Sequence, residues 1–154
     1  MHLIKLFSSV FFLFHFIFSQ TQLGNDIFGS AESDYFGSSV SLSSDGLRLV
    51  VGASGSDGPF GESPGYVRAF EYTGESWSQI GLDIEGELEG EAFGSSVSMN
   101  SDGTIIAVGA TGSNGPFGES PGLVRVFEFD GSTWNQIGLD IIGEYEEDES
   151  GCAV

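Results

Sequence analysis

The residues able to do acid–base, nucleophilic or metal chemistry are unevenly placed along the 154 residues. His2, His15 and the only lysine, Lys5, all fall within the first 19. That stretch has a basic start, an apolar run from Leu6 to Phe18 and the small residue Ser19, the layout of a secretory signal peptide, and its apolar run is too short to span a membrane. The chain from residue 20 onward keeps three arginines (Arg48, Arg68, Arg125) against 23 carboxylates, a formal charge of 3 − 23 = −20. Without histidine or lysine, a Ser-His-Asp triad, a Cys-His pair, a Schiff-base lysine and a His-ligated zinc are excluded from it. The charge also opposes binding to nucleic acid phosphates. Cys152 is the lone cysteine, so no internal disulfide forms. What remains is the chemistry of carboxylates: attraction of cations, or paired acid–base work on a sugar.

The carboxylates cluster in two places. One is Glu85-Gly-Glu87-Leu-Glu89-Gly-Glu91; the other holds Glu144, Glu146, Glu147, Asp148 and Glu149. Glu87, Glu89, Glu91, Glu146 and Asp148 are the candidate ligands for calcium, which takes six to eight oxygens; the competing reading is a solvated acidic loop that keeps the protein soluble. No other cofactor is expected. A second candidate is the loop Pro59-Phe60-Gly61-Glu62-Ser63-Pro64 and its copy carrying Phe117 and Glu119. An exposed Phe60 or Phe117 would contact a partner, whereas a ring tucked back would only pack. Trp77 and Trp134 read as packing between structural units rather than as sugar platforms. Arg68 and Arg125, in mid-strand, are expected to be paired with carboxylates.

These residues are positioned by a repeat. Phe36-Gly-Ser-Ser-Val-Ser41 recurs as Phe93-Gly-Ser-Ser-Val-Ser98, Val51-Gly52-Ala53 as Val108-Gly109-Ala110, and the octapeptide Gly58–Gly65 unchanged as Gly115–Gly122. Every offset is 57, and 35 of 51 positions between 36–86 and 93–143 are identical without a gap, which rules out chance. The same offset aligns Gln22-Leu23-Gly24 with Gln79-Ile80-Gly81, and Ser150-Gly151-Cys152 with Phe93-Gly94-Ser95. Residues 20–29 therefore read as the closing strand of another unit and residues 150–154 as the start of a third.

Each repeat reads as four short strands. Phe36–Ser43 alternates, with Val40 and Leu42 on one face against Ser39 and Ser41 on the other; Leu47–Ala53 is apolar throughout; Gly65–Tyr72 alternates again; Ser76–Ile84 is the fourth. Ser44-Asp45-Gly46 and Thr73-Gly74-Glu75 are turns. Nothing has helical period. The fold class is all-β: four-stranded antiparallel propeller blades, two complete in 36–86 and 93–143, with partial strands on either side, so that residues 20–154 read as a fragment of a longer β-propeller. In such a meander the long loop from Ser54 to Gly65 and the crossing Glu85–Ala92 lie on one face, where binding residues are expected.

The pair Phe36-Gly37 and Gly52-Ala53, repeated as Phe93-Gly94 and Gly109-Ala110, resembles the FG-GAP repeat of integrin-type propellers. The longer pattern through Tyr66–Phe70 and Trp77–Gly81 resembles repeats of large secreted proteins from marine bacteria and microalgae. The resemblance implies a secreted, non-catalytic binding or adhesion module whose partners are an extracellular protein or glycan, further blades, or copies of itself. FG-GAP repeats often carry an Asp-rich calcium loop between the dipeptides; here Ser43-Ser44-Asp45-Gly46 supplies a single Asp. The alternatives from other classes are a carbohydrate-active hydrolase using two carboxylates and a self-assembling surface protein.

Overall fold

A computed structural model describes residues 21–57, 62–114 and 119–154, and among them every regular element is a strand. Phe36–Leu42 (β1), Arg48–Ala53 (β2), Tyr66–Tyr72 (β3), Trp77–Gln79 (β4) and Ile84–Glu85 (β5) form one antiparallel sheet. Phe93–Met99 (β6), Ile105–Ala110 (β7), Leu123–Phe129 (β8), Trp134–Gln136 (β9) and Ile141–Ile142 (β10) form a second of the same design. The register repeats as well: Val51 faces Arg68 as Val108 faces Arg125. These are four-strand meanders whose fourth strand is divided, the form of propeller blades. The signal-peptide reading lies outside the described residues.

The division of the fourth strand departs from the single strand expected over Ser76–Ile84. Trp77–Gln79 pairs with the C-terminal end of β3 and Ile84–Glu85 with its N-terminal end. Between them Gly81 takes φ +72°, pressed against the ring of Trp134, a conformation that breaks a ladder and that glycine tolerates best. The Gln79 amide spans the gap to the Asp83 carboxylate at 2.7 Å, and Gln136 does the same to Asp140 at 2.8 Å. Gln22 reaches Asp26 at 2.8 Å in the equivalent stretch near the N-terminus.

The sheets stack, and the dipeptides that mark the repeat are the points of closest approach. Gly37 and Gly94 sit at positive φ (+90° and +87°), each inside a bulge that shifts the register of its strand. A side chain at Gly52 would run into the Gly94 carbonyl, and one at Gly109 into the Gly151 carbonyl. Ser39 donates to that Gly94 oxygen at 2.7 Å, and Ser96 to Gly151 at 2.8 Å. Beneath these contacts Val50 and Val67 of the first sheet join Phe93, Val97, Met99 and Ile106 of the second in one buried cluster. Phe93 is fully enclosed, a burial that contributes about 1.5–3 kcal/mol.

The apolar face of the first strand is covered only in the second repeat. Val97 and Met99 are 8% and 9% exposed, but Val40 and Leu42 are 60% and 55% exposed. The reason is stacking: Val97 and Met99 lie against the first sheet, and no sheet covers Val40 and Leu42 among the described residues.

Candidate binding face

The long loop of each repeat and the crossing that follows are laced together by their main chains. Gly90 N donates to Glu62 O at 2.9 Å, Ala92 N to Ser63 O at 3.2 Å and Phe93 N to Pro64 O at 2.9 Å. In the second repeat Glu147 N donates to Glu119 O at 3.0 Å, Glu149 N to Ser120 O at 3.2 Å and Ser150 N to Pro121 O at 2.9 Å. Ser63 and Ser120 hold positive φ, and their amides bond the Asp57 and Asn114 side chains, each at 3.0 Å. Ala92, Glu147 and Glu149 also lie in the left-handed region, costly for residues with a side chain and sustained here by these bonds. Residues 62–64 and 119–121 and the crossings bonded to them form one face.

One carboxylate per crossing is structural. Asp34 Oδ2 accepts the amides of Ser30 and Ala31, both at 2.8 Å; Glu91 Oε2 accepts those of Glu87 and Leu88; Asp148 Oδ2 accepts those of Glu144 and Tyr145 at 3.1 and 2.9 Å. This cap turns the crossing sharply back into the next blade. Glu91 is wholly buried, with its other oxygen 2.7 Å from Arg125, so it lies beneath the acidic rim rather than on it. Spacing alone does not single it out: Asp34, Glu91 and Asp148 are spaced by 57, but so are Glu32, Glu89 and Glu146 beside them.

Arg125, 4% exposed, collects Glu91, Glu87 at 3.3 Å and Asp140 at 3.1 Å, and its guanidinium lies 5.7 Å from the centre of the Phe93 ring. Arg68 is clamped by both oxygens of Asp83, at 2.8 and 2.6 Å, bonds Ser30 Oγ at 2.9 Å and lies over Phe36 and Tyr66. That hydrogen-bonded guanidinium holds the Asp83 carboxyl below its ordinary value. A cleft of about 200 Å³ beside it is lined by Ser56, Asp57, Tyr66, Asp83 and Glu85. A carboxylate fixed in its charged form by an arginine is a poor proton donor, so Asp83 does not suit the acid role in a hydrolytic pair there.

The structure scatters the candidate calcium ligands. Glu87 and Glu91 turn to Arg125, Asp148 caps its own turn, and Glu89 and Glu146 stand exposed. No three carboxylate, imidazole or thiol groups converge to hold a metal ion among the described residues. Glu62 and Glu119 lie on the laced face, each accepting a crossing amide through its carbonyl; Phe60 and Phe117 lie outside the described residues. Trp77 and Trp134 pack against Tyr72 and Phe129 and donate to Leu23 O and Ile80 O at 2.9 and 3.2 Å, which stitches each blade to the segment before it. The turn at Asp130 is built by its carboxylate, which accepts the Ser132 and Thr133 amides at 2.8 Å each and is thereby held well below the usual range.

No curated protein matches the chain. The family model of the FG-GAP repeat matches residues 25–67, a span that runs from the N-terminal segment through Phe36-Gly37 and Gly52-Ala53 into β3. Residues 25–67 are thus similar to the FG-GAP repeat, and the chain is an all-β protein whose two stacked antiparallel sheets fit partial propeller blades.

Proposed function

We propose that the protein is a non-catalytic extracellular binding or adhesion module, with its ligand face formed by the laced long loops and acidic crossings. The observation that carries this reading is the main-chain lacing, which presents Glu62 and Glu119 in the same setting 57 residues apart. A face copied once per blade suits a repetitive or extended ligand, since linked sites raise avidity without new contacts. A catalytic pair, by contrast, is needed once. FG-GAP repeats belong typically to non-catalytic propeller modules, which supports the same reading.

The test is a binding screen of the secreted protein against extracellular proteins and glycans, repeated with Glu62→Lys, Glu119→Lys and the double variant. The reading expects graded loss, larger for the double variant than for either single. Hydrolysis of a glycan that disappears with one Glu→Gln change, and no loss of binding in the double variant, would overturn it.

A further inference from the structure

A second groove opens beside the laced face and shares Asp83 and Glu85 with the cleft there. Between the divided fourth strand of the first sheet and the Asp130 turn of the second runs a groove of about 300 Å³, lined by Leu82, Asp83, Ile84, Glu85, Thr133 and Trp134. Leu82 is 79% exposed, and Leu139, at the equivalent position of the next repeat, is 90% exposed. The excursion at Gly81 and the Gln79–Asp83 bond fix the segment that holds Leu82 outward. The opposite wall is firm, because the Trp134 ring rests on Phe129 at 5.0 Å and its N–H is tied to Ile80 O. On the floor, β5 is paired with β3 alone, so its second edge has no strand beside it among the described residues.

Charge specifies what this groove selects. Each of the three arginines is already paired, Arg48 with Glu71, Arg68 with Asp83 and Arg125 with Glu91. Glu85, exposed in the groove, has no cationic neighbour within salt-bridge distance among the described residues. An apolar wall, an open strand edge and an uncompensated carboxylate together match an extended segment with alternating apolar and basic side chains. We propose that this groove docks such a cationic, extended peptide segment of a partner polypeptide. Its main chain would run along the open edge of β5, an apolar side chain against Leu82 and Trp134, and a lysine or arginine at Glu85, its stem on the indole.

The experiment is calorimetric titration of the secreted protein with a blocked hexapeptide alternating lysine and valine, and with the glutamate–valine counterpart. The proposal expects saturable binding of the lysine peptide only, weakened about tenfold by Leu82→Ser and by Glu85→Gln. Glu62→Gln and Glu119→Gln leave it unchanged, which separates this groove from the laced face. Leu82 and Glu85 are exposed, so unchanged urea unfolding curves are expected for both variants and certify the fold. Equal binding by wild type, Leu82→Ser and Glu85→Gln would mean diffuse charge attraction and would overturn the proposal, as would binding of the glutamate peptide or no binding of either.

Discussion

At Arg125 three carboxylates converge on one buried guanidinium; at Arg68, 57 residues earlier on the same strand of the same meander, a single carboxylate clamps it. Three neighbours differ together. Ser30, Asp34 and Tyr66 surround Arg68 where Glu87, Glu91 and Leu123 surround Arg125. Asp34 is a methylene shorter than Glu91, and its carboxylate accepts the Tyr66 hydroxyl at 3.2 Å instead of meeting the arginine. Leu123 has no hydroxyl to offer, and the longer Glu91 reaches past it. The backbone frame is common to both sites, with the crossing capped in the same way and the equivalent Asp83 and Asp140 on each arginine, while the second site adds Glu87 and Glu91 to the charge compensation. Equivalent positions in a repeat share geometry before they share chemistry.

The sharpest way to break this comparison is to remove the capping carboxylate at each site. Glu91→Ala leaves Arg125 without its buried partner and is expected to cost about 3–5 kcal/mol in urea unfolding. Asp34→Ala removes hydrogen bonds but no ion pair and should cost about 1–3 kcal/mol. Equal losses would show that the cap, not the ion pair, dominates both.

Next in size is the glycine pair. Gly94→Ala must accept positive φ and also meets Tyr66 O and the Gly52 backbone, so a loss of about 2–4 kcal/mol is expected. Gly37→Ala has the same φ but open space around it, and should lose only the conformational part, about 1–2 kcal/mol. The difference between the two measures the stacking contact directly. Smaller still, Val97→Thr should destabilise by about 1–2 kcal/mol, whereas Val40→Thr, on the uncovered face, should stay within about 0.5 kcal/mol.

The last prediction concerns acid. Because the folded pKa of Asp83 is depressed, its contribution is complete above the ordinary carboxylate range, about pH 4, and is lost as pH falls through the lowered folded value. Stability curves of wild type and Asp83→Asn should therefore be furthest apart near neutrality and converge as pH falls through that lowered value. Parallel curves would mean that the Arg68 clamp does not distinguish the charged form.

Much of the frame is legible in the residues themselves. The offset of 57 delimits the blades, alternation places β1 and β3, and the unbroken apolar run of β2 announces burial on both sides. The exposure of Val40 is not legible there, because alternation says which residues share a face, not whether anything covers that face. The break at Gly81 was missed because Gln79–Ile84 alternates well enough for a strand, and nothing local reveals that Trp134 of the following blade presses on it. At the binding face, the loops' common side follows from meander geometry. The buried Glu91 does not, since a glutamate among glutamates looks solvated until its partner 34 residues away is placed beside it.

The stitching between sheets has an evolutionary corollary. Its side-chain bonds link residues separated by nearly one period: Trp77 to Leu23 and Trp134 to Ile80 span 54 positions, Ser39 to Gly94 and Ser96 to Gly151 span 55. A recombination event that inserts or deletes one whole unit leaves every such partner at the same distance along the polypeptide. An insertion of any other length inside a strand puts these partners out of step. A gene built on this spacing gains or loses blades in single copying accidents, each arriving with its joints already cut to fit.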